Sequence, residues 1–332
     1  MEQNKKSLGQ FINGKKVLIL EIIIVALITA YMLRGTYPSL ILCFICINTI
    51  AVTGLDILFG YTGQVSFGHA GFYAIGAYTS SILSIKLGIP VVISMIIAAL
   101  VSMFFGFVIA IPASKLVKHF LSLLTIAFGN MVYIFLSVTK GLTNGFSGIL
   151  NIPNLNLFGF RFKSNQSYFF LFAAVAILVL IGKKRLINSR FGRALIAVRE
   201  NPHAAAGMGI NVKYYKVMAF ALSALLTGLA GAFYAHLIGF ISPDGFNNNQ
   251  SNVFMTMLLF GGIASSFGPL IGSTILTVVT EVMQGFVRYQ MLLYAIFILL
   301  VLFCMPNGVS GVIANVKARI AKRKGKKVEP RA

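Results

Sequence analysis

The chain has 332 residues, 58% of them hydrophobic and only 11% charged, with a mean hydropathy of +0.87. A soluble domain carries about 25% charged residues, so this composition excludes a water-coated globule and calls for lipid as the solvent of most helices. The formal charge of +21 excludes less than its size suggests. The 28 basic residues gather in a few segments, none interleaved with the aromatics that stack bases in a single-strand binder, so membrane lipid is the expected partner and nucleic acid is not.

The chain opens with a basic segment, 1–16, carrying Lys5, Lys6, Lys15 and Lys16. The apolar run that starts at Val17 is long, and no small-x-small cleavage site closes it, so it reads as an uncleaved first span. Crossing a bilayer takes roughly 20 mainly apolar residues. Candidate spans follow at 17–33, 38–59, 65–85, 90–112, 119–138, 167–182, 214–237, 251–264, 269–286 and 289–304. The sixth and eighth are short, and the third begins in a Gly-rich stretch. The expected fold is an all-α, polytopic transmembrane helical bundle of about ten spans. Eight remain open if 60–71 dips into the membrane and returns.

Charge supplies the orientation. With the N-terminus in the cytoplasm, alternation puts 22 Lys and Arg on the inner side and 6 on the outer side. This fits the positive-inside rule and an even span count, with both termini cytoplasmic. The chain then divides into the basic tail 1–16, one transmembrane domain over 17–312 with a cytoplasmic loop at 183–213, and a basic cytoplasmic tail at 313–332.

Candidate chemistry is sparse. Cys43, Cys46 and Cys304 all lie in apolar stretches, and zinc needs about four ligands, so buried thiols are expected and no metal. The seven acidic residues are Glu2, Glu21, Asp56, Glu200, Asp244, Glu281 and Glu329. Glu21, Asp56 and Glu281 fall in or near spans, where an ionisable group marks either a functional site or a hydrogen bond between helices. These are too few for a proton relay. No His-Glu-x-x-His, Gly-x-Ser-x-Gly or phosphate-cradling Gly-x-x-x-x-Gly-Lys-[Ser/Thr] motif occurs. The chain reads as a non-enzyme that needs no cofactor of its own, so any ATP dependence lies in partner subunits.

Three patterns carry more information. Gly60-Tyr-Thr-Gly-Gln-Val-Ser-Phe-Gly-His-Ala-Gly71 combines four glycines with Thr62, Gln64, Ser66 and His69. Glycine costs a helix about 1 kcal/mol relative to alanine, so this stretch predicts a broken or re-entrant segment. Such backbone is tolerated in a membrane where it is buried in protein or lines a watery path. Small residues recur every four positions at Ser102, Gly106 and Ala110, at Ala224, Gly228 and Ala232, and at Gly268 and Gly272, which predicts close helix crossings. In 183–213, Arg193 to Glu200 predicts one short helix. Asn201 followed by Pro202 predicts the N-cap and first residue of a second, ended by Gly207 and Gly209. Its alanines offer a knob for a soluble partner.

The order of these motifs resembles the LivM-type permeases of bacterial branched-chain amino acid ABC importers. The resemblance is carried by Gly60 to Tyr78, by Leu142-Thr-Asn-Gly-Phe-Ser-Gly-Ile149, by Gly192 to Asn211 running on to Phe220, by Gly261-Gly-Ile-Ala-Ser-Ser-Phe-Gly-Pro-Leu-Ile-Gly272, and by Met305-Pro-Asn-Gly308. It implies a multi-pass subunit of the bacterial cytoplasmic (inner) membrane. The implied partners are a LivH-like second permease, two cytoplasmic ABC ATPases and an extracytoplasmic substrate-binding protein that delivers leucine, isoleucine or valine. Gln64, Ser66, His69, Asn144 and Ser147 become candidates for the substrate pathway. Arg193, Arg199, Glu200, Asn201, Pro202, Ala205 and Gly207 become candidates for coupling to the ATPase. Permeases for urea, short amides or other amino acids share this architecture, and a stand-alone carrier or channel is the reading from another class.

Overall fold

A computed structural model describes residues 35–283 other than 117, 158, 159 and 163, together with residue 299. The expected first span, the end of the ninth (284–286), the tenth apart from residue 299, both termini and Cys304 lie outside the described residues. Each of the eight spans expected between them overlaps a helix over its described residues.

Helix α1 (Thr36–Leu55) continues into a buried π-turn at Asp56–Gly60. The chain is non-helical over 63–68 and then forms α2 (His69–Lys86). Helices α3 (Val91–Ala113) and α4 (Lys118–Val138) follow. The 139–164 segment holds a single turn, α5 (Lys140–Thr143), and a two-residue antiparallel ribbon of β1 (Asn156–Leu157) and β2 (Phe160–Arg161). Helix α6 (Asn165–Asn188) leads into α7 (Arg190–Glu200) and α8 (Pro202–Gly207). The bundle continues with α9 (Val212–Ile238), α10 (Asn248–Gly261) and α11 (Gly268–Met283). Four segments among the described residues are long and apolar enough to cross a membrane: Thr36–Gly60, Val91–Ala113, His119–Val138 and Val212–Ile238.

Helix α9 is the hub, packing on α1, α2 and α3. Its small-residue stripe makes this possible. A β-carbon at Gly76 of α2 would strike the Gly228 carbonyl, and one at Gly231 would strike the Tyr73 carbonyl. On α3, Gly106 meets Ala224 and Ser102 meets Gly228. The α10–α11 hairpin crosses in the same way, through Gly261, Gly268 and Gly272. Without a hydrophobic force between helices in lipid, this backbone-to-backbone approach is what van der Waals packing can exploit. Around the stripe, Phe72, Phe172, Phe220, Phe254 and Phe260 are fully buried.

Apart from 63–68 and 239–247, which run into the bundle, the described loops sort to two ends as alternation requires. One end holds 60–64, 113–118, 183–216 and 262–267, with the basic residues Lys184, Arg185, Arg190, Arg193 and Lys213. The opposite end gathers the start of α1, the α2–α3 turn, the 139–164 segment and the end of α9. Asn165 there donates to the Thr36 carbonyl, Lys86 donates to the Gly141 carbonyl, and Ile149 bridges Ile241.

Candidate functional site

Two helices begin inside the bundle instead of at its surface. The 63–68 segment enters from the basic end, where Gln64 Nε2 donates to the Lys216 carbonyl at 3.2 Å and to Thr62 Oγ1 at 2.9 Å. It then runs inward along α4, with the Phe67 amide donating to Thr125 Oγ1 at 3.1 Å. Gly68 sits against the Thr125 carbonyl, where no side chain fits. Helix α2 starts there, at His69. From the opposite end, the chain leaves α9 at Gly239 and descends through the 3-10 turn Pro243–Phe246. The rings of Tyr73, Tyr78 and Tyr234 hold Phe246 at centroid distances of 5.5, 5.7 and 6.0 Å. Helix α10 then starts, with Asn247 accepting from the Asn249 amide.

The two helix starts meet beside the middle of α4. The Ala70 amide donates to Ser251 Oγ at 2.9 Å, Asn248 Nδ2 donates to Asn130 Oδ1 at 2.8 Å, and Asn248 Oδ1 lies against Gly129. Among the described residues, the buried side-chain atoms without a hydrogen-bond partner are Asn248 Oδ1 and Tyr78 Oη, both in this region. Beside the junction, Asn130, Asp244, Asn249 and Asn252 are exposed, and Tyr133 donates to Asp244 Oδ1 at 3.1 Å. Asn249, Asn252 and Thr256 lie three and four positions apart, on one face of α10. Helix α10 has 14 residues, about 21 Å at 1.5 Å per residue, against a hydrocarbon core of about 30 Å. An amide face at this depth cannot be left against lipid, so it needs water or another protein beside it.

Two of the residues read as pathway candidates come together: Ser66 and His69 are buried, with Ser66 Oγ 3.2 Å from His69 Nδ1 and His69 Nε2 2.7 Å from Ser223 Oγ. Gln64 is buried as well, but its bonds go to Thr62 and Lys216. Asn144 and Ser147 are exposed at the opposite end of the bundle. Asn144 there takes a left-handed conformation at φ 61° and donates to the Gly148 carbonyl at 3.2 Å. Asn248, Asn249 and Asn252 escaped the sequence reading because amides at the start of an apolar run look like the end of a loop, and Asn130 and Thr256 because each is a single polar residue inside an apolar run. The usable signal was their density, with Asn247 to Asn252 all polar.

The basic end carries a second constellation. Lys183, counted above with the cytoplasmic loop, lies instead on α6, which runs six residues past the expected end of the span at 182. Its Nζ donates to Asp56 Oδ2 at 2.7 Å and to the Ser265 carbonyl at 2.7 Å, with both side chains fully buried. The other Asp56 oxygen accepts from the Ala264 amide at 2.8 Å, and Tyr61 donates to the Ala264 carbonyl at 2.9 Å. Of the two alternatives for Asp56, a bond between helices is present. Glu281 is half-buried on α11.

The coupling candidates divide by direction. Arg199 is exposed but donates inward to the Gly60 carbonyl, and Ala205 is buried. Arg193, Glu200, Asn201 and Gly207 are exposed, and Pro202 is half-buried at the first position of α8. Asn201 caps α8 by accepting from the His203 and Ala204 amides at 3.0 and 3.1 Å. Leu195 anchors the pair from beneath, joining a buried cluster with Leu58 and Phe220. On the outer surface, Ala204, Ala206 and Met208 are exposed, Met208 at 85%.

Residues 37–306 match the family model described as the permease component of the branched-chain amino acid transport system. The chain is 30% identical to the high-affinity branched-chain amino acid transport permease LivM of Salmonella typhimurium and 29% identical to that of Escherichia coli. Each match covers 89% of this chain and 74% of the relative. It is also 27% identical to LivH of Salmonella typhimurium, over 78% of this chain and 89% of that one. No solved structure matches.

Proposed function

The chain belongs to the permease component family of branched-chain amino acid transport systems, and from that membership we propose that it is one of two membrane-spanning subunits of an ATP-driven importer for leucine, isoleucine and valine. It is a multi-pass protein, in our reading of the bacterial inner membrane, with both termini in the cytoplasm. Its partners are a LivH-like permease, two ATPases on the basic end and a binding protein at the opposite end. The observation that supports this best is α8: a capped helix seated on the molecule through Ala205, with small and apolar side chains outward, fits a groove on a soluble subunit. Arg193, Glu200, Asn201, Pro202 and Gly207 form its rim, while Arg199 and Ala205 fix it from behind.

The amide face of α10 and α4 is our choice for this subunit's share of the pathway. The similarity to both LivM and LivH suits a pair of like subunits presenting like faces to each other. A leucine zwitterion needs hydrogen-bonding groups along its route, which Asn130, Asn249, Asn252 and Thr256 offer. The apolar cleft of about 700 Å³ that Phe105, Phe128, Met131 and Phe135 line does not. Gln64, Ser66 and His69 serve the pathway by fixing the start of α2 beside Asn248, and Asn144 and Ser147 border its outer mouth.

The test is co-purification of the tagged chain from membranes, followed by uptake of labelled leucine into vesicles. Recovery of a second permease and two ATPases, with uptake that requires ATP and a binding protein, supports the proposal. Leucine competition against urea and short amides sets the cargo. A chain that purifies alone and moves solute without ATP would replace it with a stand-alone carrier.

A further inference from the structure

We propose that the buried Asp56–Lys183 pair is the joint that carries motion from α7 and α8 to α10, which makes both side chains positioning residues for transport. The inference rests on the permease reading above. The physical route is short. Arg199, at the end of α7, donates to the carbonyl of Gly60, the last residue of the π-turn. Asp56 opens that turn, and a side chain at Gly60 would strike its Oδ1. The two Asp56 oxygens are divided between Lys183 on α6 and the Ala264 amide in the α10–α11 loop. Lys183 and Tyr61 hold the Ser265 and Ala264 carbonyls of the same loop. Four parts of the fold therefore meet at one buried ion pair: α6, the coupling helices, the end of α1, and the hairpin that carries the amide face.

The chemistry is unlike that of a packing contact. Dehydrating two charges is costly, and an apolar pair of similar size commonly serves stability as well or better. In some folds a buried pair instead sets registry, and we assign that role to this one, since each half tolerates only a bonded position. The loop it grips is likewise held in one shape, with Gly262 at φ 101° and Ala264, a non-glycine, at φ 57°. A left-handed alanine persists where its surroundings over-determine it, and here Asp56 and Tyr61 bind both its amide and its carbonyl. The π-turn adds a wide, irregular turn of a kind that concentrates at functional positions.

The experiment uses the complete importer, with both permeases, the ATPases and the binding protein, reconstituted in vesicles. It compares leucine moved per ATP hydrolysed for the wild type and for the double variant Asp56→Leu with Lys183→Met. The variant is expected to assemble and hydrolyse ATP while its transport-to-hydrolysis ratio falls about tenfold or more. A wild-type ratio in that variant would overturn the proposal and leave the pair a structural tie. If the variant does not assemble, Tyr61→Phe decides, because it removes one hydroxyl from the grip on Ala264: a lowered ratio supports the proposal and an unchanged one sinks it. A wild-type complex without ATP-driven leucine uptake removes the permease reading and this proposal together. A normal wild type beside an unimpaired variant removes this proposal alone.

Discussion

His69 and Ser223 form a hydrogen bond of 2.7 Å with both residues buried, and the start of α2 depends on it. Replacing Ser223 with Ala leaves an imidazole nitrogen unpartnered, which costs about 1–3 kcal/mol. The chain has no Trp, so the loss is best followed by thermal unfolding that exposes the buried thiols of Cys43 and Cys46. The expected result is earlier thiol labelling than in the wild type. Asn201 is a local case of the same logic. Asn201→Ala with Pro202→Ala removes a cap worth about 1 kcal/mol, and a pull-down should show weaker ATPase binding with membrane insertion intact. Undiminished binding would count against α8 as the docking element. Asn201 was legible in the sequence because a cap is decided within three residues. Lys183 was not, because its partner lies 127 positions away and nothing local distinguishes it from the basic residues that follow.

At the scale of elements, glycines in different surroundings should behave in opposite ways. At Gly76 the Gly228 backbone occupies the place of a side chain, so Gly76→Val should cost at least about 3 kcal/mol, the upper range for overpacking, and lower the unfolding temperature sharply. Gly182 on α6 has nothing within 4 Å of a β-carbon, so Gly182→Ala should stabilise by up to about 1 kcal/mol through helix propensity. The four-residue spacing of small side chains revealed these crossings, since one helix face is a local property. It did not reveal that 239–247 descends into the bundle, because that path is set by three tyrosine rings on other helices. Cysteine at Asn252 should react with water-soluble thiol reagents and change its rate when ATP binds. Cysteine at Phe104, exposed on the apolar surface of α3, should react only with lipid-phase probes. Equal lipid-phase labelling at both positions would show that the α10 face does not line a wet path.

For the whole molecule, the sequence pattern predicted which loops share an end, and the described loops sort that way. Hydropathy places spans and alternation does the rest. Which end faces the cytoplasm rests on the basic residues, and it can be read directly. Met208→Cys should be labelled by an impermeant thiol reagent only in inverted vesicles. Phe146→Cys, exposed at the other end, should be labelled only in intact cells. The reverse pattern would invert the topology. How the hairpin, the coupling helices and α6 converge on one ion pair was not legible, since it depends on tertiary packing and on no motif.

The central place of α9 has a consequence for biosynthesis. Domains are made N-terminus first, at about 5–20 residues per second, so α1, α2 and α3 leave the ribosome long before Val212–Ile238 exists. Until then Gly76, Gly106 and the Tyr73 backbone have no α9 to meet, and the early helices wait in the bilayer with their closest-packing surfaces uncovered. Nascent chains halted before residue 212 should be open to proteolysis between α1 and α3, and chains extended past residue 238 should become resistant there. The quality-control machinery of the membrane thus meets its most vulnerable substrate in a half-made chain, and the last small residue of the α9 stripe closes that window.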